Sequence, residues 1–149
     1  MFLQKAPYSV EIGLEDGKVP DRAFSASSQW DKYHRANRAR LNSVATKRYR
    51  GGWSARKNNR RQWLQVKLRR RARITGLATQ GRQDLNQWVR SYSISYSLTG
   101  RSFRSYKENG RVKVIVSLCA PVNVASWQKK LASVNEAFLT DETKVKTSW

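Results

Sequence analysis

The sequence has little of the chemistry on which most enzymes and metalloproteins depend. Its 149 residues include a single histidine, His34, and a single cysteine, Cys119. One cysteine cannot form a disulfide within the chain, so cysteine usage does not indicate the redox compartment. The two residues lie in different kinds of segment, and no Cys-x-x-Cys or His-x-x-x-His spacing occurs. We therefore expect a protein that is not an enzyme and that holds no cofactor.

Long apolar runs are also missing. No stretch approaches the roughly 20 apolar residues that a membrane helix requires. The start, MFLQKAPYSVEIG, lacks the central apolar run of a secretory signal. The sequence as given therefore predicts no transmembrane segment and no signal peptide, and its length is sufficient for one domain with its own core.

Acidic residues are absent from a third of the chain. Residues 32–83 contain 17 of the 30 Lys and Arg residues and no Asp or Glu, while the formal net charge of the whole chain is +20. A field of this sign favours anionic partners such as glycosaminoglycan, anionic lipid, RNA or DNA, and salt screens it. The charge does not choose among these partners, and it does not specify a fold.

Two local clusters of charge each allow two interpretations. Arg69, Arg70, Arg71 and Arg73 are either a solvated turn between strands or an anion-binding patch. Near the start of the chain, Glu15 and Asp16 lie between glycines in the segment GLEDG. Weak calcium binding there is possible in principle, because calcium prefers oxygen ligands, but a solvated turn is the stronger expectation.

Alternating apolar residues predict strands. In QWLQVKL (residues 62–68) the apolar side chains fall on one face, and SYSISYS (residues 91–97) places Tyr92, Ile94 and Tyr96 inward with serines outward. The Asn109-Gly110 pair predicts a tight hairpin turn before a strand that carries Val112, Val114 and Val116 on one face. Short strands joined by turns indicate an antiparallel β-sandwich or barrel.

Two segments do not follow this alternation. Residues 31–61 are polar, basic and irregular, and they predict long loops. Between Val124 and Phe138 the apolar residues are spaced by three and four, which predicts an amphipathic helix.

Four blocks, in order along the chain, carry a family resemblance. They are LEDGKVPDRAFSASSQWDKYHRANRARLN, GGWSARKNNRRQWLQVKL, ITGLATQGR and WVRSYSISYSLTGRSFRSYKENG. Together they resemble the discoidin domain (F5/8 type C) family over residues 12–116, with residues 1–11 as an N-terminal extension and residues 117–149 as a divergent tail. The resemblance implies an all-β, discoidin-type jelly-roll β-sandwich of the galactose-binding-like kind.

The same resemblance implies a function. Members are extracellular, non-enzymatic adhesion or ligand-recognition modules that bind through loops at one end of the sandwich. The implied partners are a glycan, a collagen-like matrix protein, an anionic phospholipid or a glycosaminoglycan. The alternative, which rests on residue content alone, is a nucleic-acid-binding protein driven by the basic residues 32–83, and we expect such binding to be non-specific.

Functional positions carry over from the resemblance one by one. Trp30 is similar to an exposed aromatic at the tip of the first loop, and Arg82 to an arginine in the ligand groove of collagen-binding members. Arg40 resembles a structural arginine, and Trp53 and Trp63 resemble core residues. The implied ligand-binding residues are Trp30, Asp31, His34, Arg38, Arg82, Asp84 and Trp88.

The chain departs from the family pattern in two respects. The cysteines that usually pair across the ends of the domain have no counterpart, and neither have the family's last strands after Val116. The domain is therefore expected to be C-terminally incomplete or divergent. Because exposed sheet edges and a lost disulfide would both destabilise it, we expect marginal stability, with residues 117–149 the least ordered.

Overall fold

The computed structural model describes residues 14–69, 72–116, 130–139 and 142–148. These residues form ten strands and two short 3-10 helices. The helices span Asp21–Ala23 and Ala36–Ala39. The strands are β1 (Phe24–Ala26), β2 (Trp63–Lys67), β3 (Ala72–Thr79), β4 (Ser91–Ser97), β5 (Arg104–Ser105), β6 (Lys107–Glu108), β7 (Arg111–Val112), β8 (Val114–Val116), β9 (Lys130–Leu139) and β10 (Glu142–Ser148).

The main sheet has six strands and is antiparallel throughout. Its order is β1-β2-β10-β4-β5, and β8 pairs with β4 beside β5. Lys146 of β10 lies opposite both Trp63 of β2 and Ser93 of β4, so β2 and β4 run in the same direction with β10 between them. The ends at which β2 and β4 begin are therefore at the same edge of the sandwich.

A second sheet supplies the other side of the core. It consists of β3 and β9, which pair antiparallel with a register shift between Ile74 and Gly76. Ile74 joins Tyr92 and Ile94 of β4 in the main hydrophobic cluster, which is completed by Leu68 and Tyr106. Because one cluster draws side chains from both sheets, the sheets face each other, and the predicted all-β sandwich is confirmed.

Strand β4 shows both the value and the limit of the alternation. Tyr92 and Ile94 are buried as predicted, and Tyr96 is half-buried against the same cluster. Ser95 and Ser97 were predicted to face solvent, yet they are only 8% and 3% exposed. Ser97 Oγ accepts the backbone N–H groups of Thr99 and Gly100, so this serine belongs to the turn that ends β4. Ser95 is small and lies between paired strands on both sides, which leaves little of it exposed.

The predicted turns are present. Asn109 and Gly110 both have positive φ, 50° and 75°, and they join Glu108 to Arg111 in a two-residue hairpin. Gly100 also takes a positive φ of 71°.

The valines that follow this hairpin are exposed, although the apolar face of a strand is usually buried. The predicted single strand is divided, because Val112 belongs to β7, which pairs with β6, while Val114 and Val116 lie on one face of β8. The three valines are 46%, 54% and 60% exposed. It is Ile115, on the opposite face of β8, that packs against the core.

The tail contains strands where the sequence predicted a helix. Residues 130–139 form β9 and not a helix, while residues 124–129 of the predicted helix lie outside the described residues. Strand β10 occupies the centre of the main sheet. Both strands lie in the part of the chain that was expected to be incomplete or divergent, and the absence of the family's last strands stays a prediction. Strand pairing overrode the helical spacing of the apolar residues.

Candidate ligand-binding loops

Two long connections lie together at one end of the sandwich. Residues 27–62 join β1 to β2 and residues 80–90 join β3 to β4, and both meet the main sheet where β2 and β4 begin. We call this end the loop end. Ala45 N–H donates to Gln83 Oε1 at 3.1 Å, and Gly51 N–H donates to Asp84 Oδ1 at 3.1 Å. The two connections therefore form one surface.

Trp30 is an exposed residue of this surface. It is 63% exposed, although its backbone N–H is held by Ser54 O at 2.8 Å. The backbone is thus fixed while the indole faces solvent, which is the arrangement that an aromatic binding residue needs.

The turn after Trp30 is built by Asp31. Its Oδ1 accepts the N–H groups of Tyr33 and His34 at 2.7 and 3.1 Å, and it lies 2.7 Å from His34 Nδ1. Partial desolvation raises the pKa of Asp31, but the hydrogen bonds from His34 and Tyr33 outweigh it and leave the pKa below its usual value. His34 is only 6% exposed. The structure therefore gives Asp31 and His34 an internal partner each, and direct ligand contact by them stays a prediction.

Arg38 and Arg40 also point inward. Arg38 donates to Arg50 O at 2.9 Å and to Val44 O at 2.7 Å. Arg40 donates to the carbonyl oxygens of Leu14 and Val19 and to Asp21, and its guanidinium lies 4.5 Å from the centre of the Phe24 ring. Arg40 is therefore structural, as the resemblance implied, and Arg38 holds neighbouring turns together.

Arg82 and Asp84 form a bidentate ion pair at the centre of the loop end. Arg82 Nε and Nη2 donate to the two Asp84 carboxylate oxygens at 2.7 and 2.8 Å, and the side chains are 9% and 18% exposed. Arg82 Nη1 also donates to Gln87 Oε1 at 2.9 Å. The Arg82 guanidinium lowers the pKa of Asp84 to about 2. This pair closes the second loop on itself, and a ligand-contacting role for it stays a prediction.

The close approach of the first loop requires a glycine beside this pair. A Cβ on Gly51 would lie 2.9 Å from Asp84 Oδ1 and 3.0 Å from Gln83 Cβ. These distances are shorter than real contacts allow, so a larger residue would push the two connections apart.

The outer surface of the loop end is strongly cationic. Asp31 and Asp84 are the acidic residues of these two connections, and both are engaged as described above. Ten basic residues of the same connections are exposed: Lys32, Arg35, Lys47, Arg48, Arg50, Arg56, Lys57, Arg60, Arg61 and Arg90. Exposed apolar side chains accompany them at Trp30, Val44 and Leu85, which are 63%, 60% and 53% exposed.

Sequence reasoning missed the buried polar residues that brace these loops. Gln62 is 6% exposed, and its Oε1 accepts the hydroxyl groups of Ser27 and Ser28 at 2.8 and 2.6 Å. Its Nε2 donates to Asn59 Oδ1 at 2.9 Å. The available signal was parity, because alternation puts Gln62 on the same face as Leu64 and Val66, where a polar side chain needs a buried partner.

Two tryptophans that were predicted to lie in the core are less buried than expected. Trp53 and Trp63 were expected in the core, yet both are only half-buried. Trp53 Nε1 donates to Ser28 O at 3.0 Å, so this ring supports the first loop and lies near its surface. Trp88 is half-buried with its Cβ close to Gly81.

Of the predicted anion patch, Arg69 lies away from the loop end. Arg69 is exposed just beyond the far end of β2, opposite to the end where β2 begins. Arg70 and Arg71 lie outside the described residues, and Arg73 is described only as a backbone position of β3. The structure therefore separates Arg69 from Trp30, and the anion-binding patch as a whole stays a prediction.

The two carboxylates of the predicted weak calcium site accept hydrogen bonds from neighbouring residues, and calcium binding there stays a prediction. Asp16 accepts the backbone N–H of Lys18 and pairs with Lys18 Nζ at 2.6 Å, and Glu15 accepts Asn42 Nδ2. Within the described ranges no three acidic, histidine or cysteine side chains form a possible metal site. In the same ranges no helix has the length and apolarity of a membrane span.

Comparisons with known proteins identify the family and the fold. The chain is 38% identical to mouse coagulation factor V over 106 residues, which are 67% of this chain and 5% of that protein. In structure it is similar to discoidin II of Dictyostelium discoideum, with a TM-score of 0.65 and 18% identity over 84% of this chain and 48% of that one.

It is also similar to a Clostridium perfringens module solved in complex with GalNAc-β-1,3-galactose, with a TM-score of 0.57 and 13% identity over 88% of both chains. At such low identity the two structural similarities establish the fold alone. The family model of the F5/8 type C domain matches residues 23–127. The chain therefore belongs to the F5/8 type C domain family.

Proposed function

We propose that this chain is a non-enzymatic, extracellular recognition module that binds a glycan through the loop end. The observation that carries the proposal is the exposed Trp30 indole on a fixed backbone, surrounded by exposed cations. Aromatic faces pack against apolar sugar faces, while cations hold anionic substituents. The sugar-bound Clostridium perfringens module supports a glycan in particular, because it shares the fold over most of both chains.

The internal pairing at the loop end supports binding over catalysis. Among the described carboxylates of the two loops, Asp31 is tied to His34 and Asp84 to Arg82, and both pKa values lie below the ordinary range. A general acid needs a pKa near the operating pH, so these groups are suited to holding loops and unsuited to proton transfer.

The test is binding of the purified chain to a panel of neutral and sulfated oligosaccharides, with Trp30→Ala as the variant. Truncating an aromatic anchor should weaken glycan binding roughly ten- to thirty-fold, and Trp30→Phe should restore most of it. Leu98→Ala is the matched control, because Leu98 is 53% exposed at the opposite end of β4.

The proposal fails if Trp30→Ala and Leu98→Ala bind every oligosaccharide as the unmodified chain does. Tight, sequence-dependent binding to duplex DNA without glycan binding would instead favour the nucleic-acid function. Binding to a collagen-like protein or to anionic vesicles that depends on Trp30 would keep the loop end as the site and replace the glycan as its ligand.

A further inference from the structure

One segment of the loop end concentrates charge more than the rest. Residues 56–61, which we call the basic loop, contain Arg56, Lys57, Arg60 and Arg61. All four are exposed, whereas the residues on either side of the loop, Ala55 and Gln62, are 4% and 6% exposed. No ion pair joins any of these four cations to an acid in the described part of the chain, and residues 32–83 contain no acid.

The basic loop is braced from beneath and is not a loose charged tail. Asn59 Oδ1 accepts the Arg61 N–H at 3.0 Å and Gln62 Nε2 at 2.9 Å. Ser28 Oγ accepts the Arg56 N–H at 3.0 Å and donates to Gln62 Oε1 at 2.6 Å. The backbone on both sides of the loop is therefore tied to one buried glutamine. Like charges held together in this way repel one another, and an anion that neutralises several of them is favoured.

The brace also connects the basic loop to Trp30. Ser28, which accepts the Arg56 N–H, lies two residues before Trp30 in the sequence. Ser54, whose carbonyl oxygen accepts the Trp30 N–H, lies two residues before Arg56. A linear ligand that contacts Trp30 can therefore continue over the basic loop.

The side chains of the basic loop select among anionic ligands. A lipid surface is bound by cations together with apolar side chains that enter the interface. The exposed apolar side chains of the loop end, Trp30, Val44 and Leu85, all lie outside residues 56–61, so the basic loop itself is suited to a hydrated polyanion. Arg side chains bind sulfate and carboxylate oxygens in bidentate geometry. We infer that the basic loop is a subsite for a sulfated or carboxylated polysaccharide whose chain also contacts Trp30. The inference rests on the proposed function, for which it names the ligand class.

The test uses a heparin oligosaccharide of defined length as the probe and isothermal titration at several salt concentrations. The variant is R56Q/K57Q/R60Q/R61Q. The matched control is R101Q/R104Q/K107Q/R111Q, which removes the same charge from four exposed positions on the side of β4 that faces away from β10. Because both variants change the net charge equally, a difference between them reports local contacts.

The basic-loop variant should lose at least about ten-fold in affinity, and the salt slope should fall by about one for each contacting cation. The control should lose less than about three-fold in affinity, because it lowers only the long-range attraction that comes from net charge. Equal losses in the two variants would overturn the inference. It would also fail if duplex DNA or phosphatidylserine vesicles bound as tightly as heparin with the same dependence on the basic loop.

The outcome separates this inference from the proposed function. If Trp30→Ala weakens glycan binding while the basic-loop variant behaves as its control does, the proposed function stands and the subsite falls. If neither variant changes binding to any glycan, both fall.

Lysine acetylation with and without heparin provides a readout that needs no substitution. Lys57 should be protected by the ligand and Lys107 should not. Equal protection of the two lysines would contradict the subsite.

Discussion

The loop end has an inner and an outer layer of arginines, and the two layers differ in what they bind. Arg38, Arg40 and Arg82 donate to carbonyl and carboxylate oxygens of the chain itself. Arg60 and Arg61 lie on the surface with no acidic partner in the described residues. The inner layer fixes the shape of the loops, and the outer layer is available to a ligand.

The comparison shows that net charge is a poor guide to function at the level of single residues. All these arginines lie in or near the same acid-free stretch of sequence, and each contributes equally to the charge of +20. What separates them is the presence of an acceptor within reach of the folded backbone. The predictions below test that separation, beginning with the inner layer.

The largest effect is expected for Arg82→Ala. The substitution leaves the Asp84 carboxylate, only 18% exposed, without its bidentate partner and removes the bond to Gln87. Leaving one member of such a buried pair without its partner lowers the free energy of unfolding by about 3 kcal/mol or somewhat more. Urea denaturation should report this loss in the free energy of unfolding, and Arg82→Lys should lose less.

Arg90→Ala is the control for this substitution. Arg90 is exposed in the same loop, and its removal should change the free energy of unfolding by less than about 0.5 kcal/mol. Comparable losses at positions 82 and 90 would mean that the two layers do not differ.

The second effect concerns pH. The pKa of Asp84 is held at about 2 by Arg82, well below its value of 3.8 in an unfolded chain. A depressed pKa stabilises the fold fully above the unfolded value, and this stabilisation disappears as the pH falls from about 4 towards 2. The contribution is about 2 kcal/mol. Denaturation curves between pH 5 and pH 2 should show a loss of this size in the native chain that Asp84→Asn lacks.

The third effect is steric and concerns Gly51. Its substitution by Ala would place a Cβ 2.9 Å from Asp84 Oδ1, so the ion pair or the first loop must shift, at a cost of about 1–2 kcal/mol. Gly52→Ala is the matched control, because its nearest non-bonded neighbour would be 3.5 Å away, an ordinary contact. Equal melting temperatures for the two variants would show that the two loops do not depend on this close approach.

The sequence predicted the sheets and turns better than it predicted the site. The alternation in residues 91–97 and the Asn109-Gly110 turn are local signals, and both were confirmed. The apolar spacing near Val134 was misleading because it fits a helix, whereas the main energetic demand on β9 and β10 is to pair with distant strands. No local pattern contains that information.

For the site, the family resemblance identified the loops but could not divide their residues into two layers. Trp30 is exposed as predicted, whereas His34 and Arg82 are occupied by Asp31 and Asp84. Each pair is close in sequence, so an acid two or three residues from a cation was a usable signal. For Gln62 the local signal was a polar residue on the apolar face of an alternating strand, and it could not identify Ser27 and Ser28, which lie more than 30 residues away.

The smallest effect on stability is expected for R60Q/R61Q in the outer layer. Neither side chain has an acidic partner among the described residues, so no ion pair is lost, and the change should be within about 0.5 kcal/mol. Its sign is informative, because removing two charges from an acid-free surface relieves repulsion. The variant should therefore be slightly more stable than the native chain at low salt, and the difference should vanish at high salt. Melting curves at two ionic strengths measure this, and a loss of stability that persists in high salt would place Arg60 and Arg61 in the inner layer.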